Sequence, residues 1–198
     1  ARARPPPPPP TADELARFGL IWIDAHMDAH TPATTESGMI HGMPLACLLG
    51  HGDASLTSLA GGDRPAVAPE NLCLIGTRSF EDGEAKLLAR LGVRVIDAAE
   101  TRRIGFAAAL AEARAIASRG TAGYGVSLDI DAFDPGEAPG TGYWEPDGLR
   151  PDEVLPALGQ LAGDPRRIGL EIAEYNPHKD DGRTARLIER LALATHAA

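Results

Sequence analysis

The sequence predicts an α/β domain of three layers, α/β/α, built on a mainly parallel sheet. Five short apolar runs are spaced along the chain, and the segments between them are long enough to hold helices. The runs are nearly continuous in apolar residues, as expected for strands covered on both faces. Acidic residues recur where the runs end, the edge at which open parallel sheets bind ligands.

The predicted strands, in order, are "GLIWIDA" at 19–25, "NLCLIG" at 71–76, "VRVIDA" at 93–98, "YGVSLDID" at 124–131 and "RIGLEIA" at 167–173. Helices are expected over "EAKLLARLG" at 84–92, the alanine-rich "GFAAALAEARAIASR" at 105–119 with Gly120 as its stop, "PDEVLPALGQLA" at 151–162 and "DGRTARLIERLALAT" at 181–195. Pro156 should interrupt or kink the third helix unless it falls near the helix start. Each helix returns the chain to begin another parallel strand by a right-handed crossover.

Composition narrows the class of function. A chain of 198 residues suffices for one domain with a core. Nineteen Lys and Arg against 28 Asp and Glu leave a net charge of −9, which argues against a nucleic-acid footprint because that needs a clustered basic face. Cys47 and Cys73 lie in apolar runs and are expected as buried free thiols. With no apolar stretch of roughly 20 residues and no signal segment, a cytoplasmic protein without membrane spans is expected. Residues 1–14 include six consecutive prolines and read as an unstructured leader ahead of a domain over 15–198.

Two acidic clusters carry the chemistry. "DAHMDAH" places Asp24, His26, Asp28 and His30 directly after a predicted strand. Carboxylate oxygen and imidazole nitrogen suit divalent transition metals, although a polar loop capping the next element would show the same residue types. "SLDIDAFDP" delivers Asp129 and Asp131 two residues apart, and nearby carboxylates need a cation, a proton or solvent. Asp134, before Pro135, reads as a turn residue. Five candidate ligands exceed one ordinary site, and two metals sharing carboxylates around an activated water point to hydrolysis. No dinucleotide fingerprint or phosphate loop is present.

Five segments together resemble the ureohydrolase family of arginases and agmatinases, most closely its bacterial arginase-like members. They are "DAHMD" at 24–28, "TTESGMIHGMPL" at 34–45, "SLDIDAFDP" at 127–135, "APGTG" at 138–142 and "EIAEYNP" at 171–177. The resemblance implies a three-layer fold, a pair of Mn²⁺ ions and hydrolysis of a guanidino substrate, foremost L-arginine to L-ornithine and urea, with agmatine or another guanidino acid as alternatives. An inactive metal-binding relative is the non-enzymatic alternative.

Carried over by position, the resemblance assigns Asp24 and Asp129 as bridging carboxylates, Asp28 to the first metal, and His26 and Asp131 to the second. Asp28 would also align the attacking water. His41 would pass a proton to the departing amine, a role suited to a near-neutral imidazole, although a packed or surface histidine is the plain alternative. Glu174 would receive the guanidinium by paired hydrogen bonds, since a planar fork suits a planar acceptor. Glu171 would support it.

For the far end of the substrate, the resemblance points to Thr35 and Ser37 near a carboxylate and to Glu81 and Glu84 near an amino group. His30 stands where arginases commonly have an asparagine. Tyr143 and Trp144 replace a small residue and a proline, and would narrow the pocket or pack over the sheet edge. Relatives also carry a Gly-Gly-Asp-His segment ahead of the first metal strand. The residues before Gly19 hold no such histidine, so the chain is expected to be incomplete at its amino terminus, with the first metal one ligand short. The resemblance further implies a homo-oligomer, a trimer or hexamer.

Overall fold

The computed structural model describes residues 17–60 and 65–196; the proline-rich stretch lies outside them. Five parallel strands form one sheet: β1 (Phe18–Ile23), β2 (Val67–Ile75), β3 (Arg94–Ile96), β4 (Gly123–Asp129) and β5 (Arg167–Ala173), in the order β3-β2-β1-β4-β5. The chain therefore builds outward from β1 to β3, then returns to the other side of β1 to lay down β4 and β5. The strand order reverses between β1 and β4, and a crevice opens there at the carboxyl ends.

Among the described residues seven α-helices connect and cover these strands: α1 (Pro44–Leu48), α2 (Ala54–Thr57), α3 (Asp82–Leu91), α4 (Ala98–Ile104), α5 (Phe106–Ala117), α6 (Pro151–Gly159) and α7 (Arg183–Thr195). The period-2 alternation of β1 sorts its side chains between two cores. Ile21 and Ile23 join Val126 and Leu128 of β4 in a cluster packed on Phe106 and Leu110 of α5, Val154 and Leu158 of α6, and Leu187 and Leu191 of α7. Trp22 faces the other way, with Leu72 and Leu74 of β2, Leu45 of α1 and Leu87 and Leu88 of α3. The result is the expected three-layer arrangement.

All five predicted strands and four predicted helices occur, with shifted ends. β2 begins four residues early, and the extra residues are a bulge: Phe18 pairs with Val67, but Leu20 already pairs with Leu72. Pro69 is tolerated in that irregular stretch because no ladder hydrogen bond is required of it. Helices α1, α2 and α4 are additional. Pro156 sits inside α6 without ending it; the ring faces solvent, and the missing N–H forfeits one hydrogen bond in a helix anchored by buried Val154, Ala157 and Leu158.

Two expectations about burial are corrected. β5 is not covered on both faces: it is an edge strand, with Ile168, Gly169 and Glu171 exposed. Its apolar residues Leu170 and Ile172 pack on one side only, against the α5–α6–α7 core. Cys73 is a buried free thiol, but Cys47 is free and only half-buried, because α1 is a short helix at the surface of its layer. Among the described residues no helix is long and apolar enough to cross a membrane.

Candidate metal centre and active site

The register of the sheet puts the acidic clusters side by side. Ile23 pairs with Leu128, so Asp24 and Asp129, the next residue of each strand, leave the sheet together; Asp129 in turn pairs with Ala173, which precedes Glu174. Asp24 and Asp129 share the parity of Trp22 and Ser127, so both head to the α1–α3 side. The chain after β1 is held there by backbone hydrogen bonds: Ala25 O accepts from Arg78 and Ser79, and Asp28 O accepts from Leu45 at the start of α1.

Ligand atoms of Asp24, His26 and Asp131 lie within 4.8 Å of one another. His26 Nδ1 is 3.1 Å from Asp131 Oδ2 and 3.5 Å from Asp24 Oδ1. The carboxylates are oriented by donors that take one oxygen each: Trp22 Nε1 and the N–H of His26 donate to Asp24, and the N–H of Asp131 donates to Asp129 at 2.8 Å. Asp28 and Asp129 line the same cavity, a cleft of about 560 Å³ whose walls also include His41, Tyr143, Glu145 and Glu174.

Burial and mutual repulsion make this cluster short of positive charge. Burial, reinforced by Asp131, pushes the Asp24 carboxyl up to about 6. Burial and the Asp24 charge push Asp28 up to about 9 and Asp129 up to about 10. His26 moves the other way: burial alone would lower it, but the carboxylates of Asp131 and Asp24 prevail and push it up to about 11. Among the described residues no Lys or Arg side chain hydrogen-bonds these carboxylates. A buried set of four carboxylates and one imidazole with no basic side chain bonded to it fits divalent cations of the oxygen- and nitrogen-preferring kind.

Two of the three non-glycine residues with positive φ among the described residues are at this place; the third, Asp147, lies outside the cavity lining. Asp28 (φ 48°) and Glu174 (φ 60°) are in the left-handed region that non-glycine residues rarely adopt, and both line the cavity. Such strain clusters where function over-determines the backbone. Gly142 lies close to Glu174: a Cβ there would stand 3.4 Å from Glu174 Oε2, an ordinary contact.

Residues 11–197 match the sequence profile of the arginase family. The chain belongs to that family. It is 39% identical over 170 residues to the arginase of Bacillus caldovelox, covering 86% of this chain and 56% of that one, and 40% identical over 177 residues to that of Brevibacillus brevis, covering 89% and 59%. The native structure of the Bacillus caldovelox arginase superposes with a TM-score of 0.88 at 37% identity, over 94% of this chain and 62% of that one. The chain thus spans less than two thirds of the length of these arginases.

The remaining residues assigned through the arginase-family resemblance are also at the cleft, in more restrained settings. His30, Thr35, Ser37, Glu81 and Glu84 line it. His30 Nε2 is 2.7 Å from Glu81 Oε2, and its Nδ1 is 3.2 Å from Thr34 Oγ1, so both ring nitrogens have partners within the chain. Glu84 accepts the N–H groups of Ala29 and Glu81, the latter closing a capping box at the start of α3. Thr35 and Ser37 hydroxyls accept from Gly38 and Met39, shaping their own loop. Asp134 is a turn residue, accepting from Gly136 and Asp147, and Glu171 accepts from Ser127 Oγ at 2.7 Å.

Sequence reasoning missed two residues. Arg78 donates to the carbonyls of Gly76, Asp131, Ala132, Phe133, Glu145 and Pro146, joining the loops after β2 and β4. Glu145 Oε1 stands 3.6 Å from His26 Nε2. The signal for Arg78 was its place in "RSFEDGE", directly after a strand; Glu145 carried none, because only the loop path brings it over His26.

Proposed function

We propose that this cleft is the core of a metal-dependent ureohydrolase site, with L-arginine hydrolysed to L-ornithine and urea as its leading reaction. The observation that carries the reading is the convergence of Asp24, His26 and Asp131 at the carboxyl ends of β1 and β4, beside a cleft that Glu174 also lines, in a chain of the arginase family. Asp24, His26, Asp28, Asp129 and Asp131 would hold two cations, with Mn²⁺ favoured by the predominance of carboxylate oxygen. Cations bound there supply the Lewis acidity that turns water into a nucleophile at neutral pH.

The chain's own groups do the rest. Glu174 presents a planar carboxylate to the planar guanidinium and fixes its carbon over the buried acids. Asp28 accepts a hydrogen bond from the attacking water and orients it. His41, at the rim of the cleft, delivers a proton to the amine as it departs. Glu81 and Glu84 offer negative charge to the substrate's amino group, while Thr35 and Ser37 border its carboxylate. By the family resemblance the assembly would be a trimer or hexamer.

A second reading is favoured by one observation. Among the described residues the cleft is lined by Glu36, Glu81, Glu84 and Glu145 but by no Lys or Arg, and His30 is already engaged by Glu81 and Thr34. That end suits a cation, so a guanidino amine such as agmatine competes with arginine. Urea release by the Mn²⁺-loaded chain from arginine, agmatine and 4-guanidinobutanoate decides between them. Arginine is expected to lead; agmatine ahead by tenfold would overturn that choice, and metal uptake without urea from any of the three would favour a non-catalytic metal-binding relative.

A further inference from the structure

Tyr143 is half-exposed in a loop, the setting of an ordinary surface tyrosine, yet its surroundings are specific. Its ring centroid is 5.2 Å from that of His41, with the planes tilted by 57°, and 6.0 Å from that of His26, with the planes at 77°. Its hydroxyl donates to Met39 Sδ at 3.2 Å, two residues before His41 in the chain. Among the described residues no hydrogen bond holds the His41 ring, which is carried on a single 3₁₀ turn, Ile40–Gly42. The tilted packing of Tyr143 is what the fold provides to orient it.

The loop that carries Tyr143 is pinned on both sides. Lys179 Nζ donates to Gly142 O at 2.6 Å, and Trp144 Nε1 donates to Pro139 O at 2.9 Å. Arg78 donates to the carbonyls of Glu145 and Pro146. Trp144 itself lies outside the cleft with Lys179 over its ring, so the two aromatic neighbours have separate duties: Trp144 anchors the loop and Tyr143 projects into the cleft.

We propose that Tyr143 is a positioning residue for His41, holding the imidazole at the rim of the cleft in the orientation from which it meets the departing amine. This rests on the proposed ureohydrolase reading for the role of His41, but the packing itself does not. The aromatic ring performs the task, and the hydroxyl adds the tether to Met39. A side chain without a ring leaves His41 free to rotate about χ1 and χ2, which lowers the fraction of bound substrate that meets a correctly aimed proton donor. The loss therefore falls on kcat rather than on KM.

The test compares Y143A, Y143L and Y143F, with H41A and H26A as assignment controls. In the metal-free full chain, the carbon-bound ring protons of His41 and His26 are followed by NMR; Y143A and Y143L are expected to shift both sets, and Y143F to leave them near wild type. In the Mn²⁺-loaded chain, Y143A and Y143L are expected to lower kcat by about 10- to 100-fold with KM within about threefold, and Y143F to restore most of it. Y143L fills the space if the alanine variant does not fold. Unmoved His41 signals, or Y143F losing as much kcat as Y143A, would overturn the proposal. If the wild-type chain releases no urea while the ring signals shift as stated, the ureohydrolase reading fails and the positioning by Tyr143 stands.

Discussion

At Glu174 the backbone leaves β5 in a left-handed turn, and the residue lines the same cleft as His26, Asp28, Asp129 and Asp131. In the proposed ureohydrolase site, this carboxylate would meet a planar guanidinium and act through charge and geometry together. Glu174→Gln keeps the shape and removes the charge; kcat/KM for the best guanidino substrate is expected to fall at least 100-fold, read by initial rates of urea release. Asp131→Asn should weaken Mn²⁺ binding by at least tenfold in equilibrium dialysis, because Asp131 both offers an oxygen and faces His26 Nδ1 at 3.1 Å. An unchanged Mn²⁺ isotherm would remove Asp131 from the ligand set. Arg78→Ala strips the donors from carbonyls on two loops; a loss of about 3 kcal/mol is expected in urea unfolding, and a loss under 1 kcal/mol would show that water replaces the guanidinium.

Among the elements, those with a strong local signal were legible and those formed by their surroundings were not. The alanine-rich α5 and the amphipathic α7 were read within a few residues of their ends. Helix α4 was missed because "AAETRRI" is short and weakly patterned; Asp97, seen only as another strand-end acid, is its N-cap and accepts from Glu100 N at 2.7 Å. The first turn of α7 makes a similar use of Asp180, which accepts from the N–H groups of Thr184 and Ala185. Burial works against its ionised form, but these donors and the Tyr175 hydroxyl prevail and hold its carboxyl at about 2. Because the folded-state value is depressed, its stabilisation is present above about pH 4 and lost as the pH falls toward 2. Asp180→Ala should lower Tm by about 2–4 °C at pH 7, and the gap between variant and wild type should narrow at pH 3. A gap independent of pH would mean that the carboxylate's charge is not what caps the helix.

For the whole molecule, the decisive feature is the reversal of strand order between β1 and β4. It brings Asp24 and His26 to Asp129 and Asp131, more than 100 positions later, and β5 then adds Glu174 to the same edge. Buried carboxylates held close together work against folding, so a cation bound at the proposed metal centre would stabilise the chain. At Mn²⁺ about 100-fold above Kd, a single site adds about 2.7 kcal/mol, and Tm is expected to rise by about 5–10 °C and to fall back with chelator. A melt indifferent to Mn²⁺, Co²⁺ and Ni²⁺ alike would argue against a metal centre in this chain.

The sequence by itself determined the α/β class, the five strands and the two acidic clusters, because these rest on local periodicity and on residue types next to strand ends. The resemblance carried by "DAHMD", "SLDIDAFDP" and "EIAEYNP" extended that to a family, since ligand chemistry constrains short contiguous segments. Tertiary structure alone decided that β5 is a half-exposed edge, that His30 is engaged by Glu81, and that Tyr143 and Glu145 stand beside His26. Those facts depend on which strands and loops meet at the crevice, and contacts between residues roughly 40 to 120 positions apart leave no periodic trace in the chain that forms them.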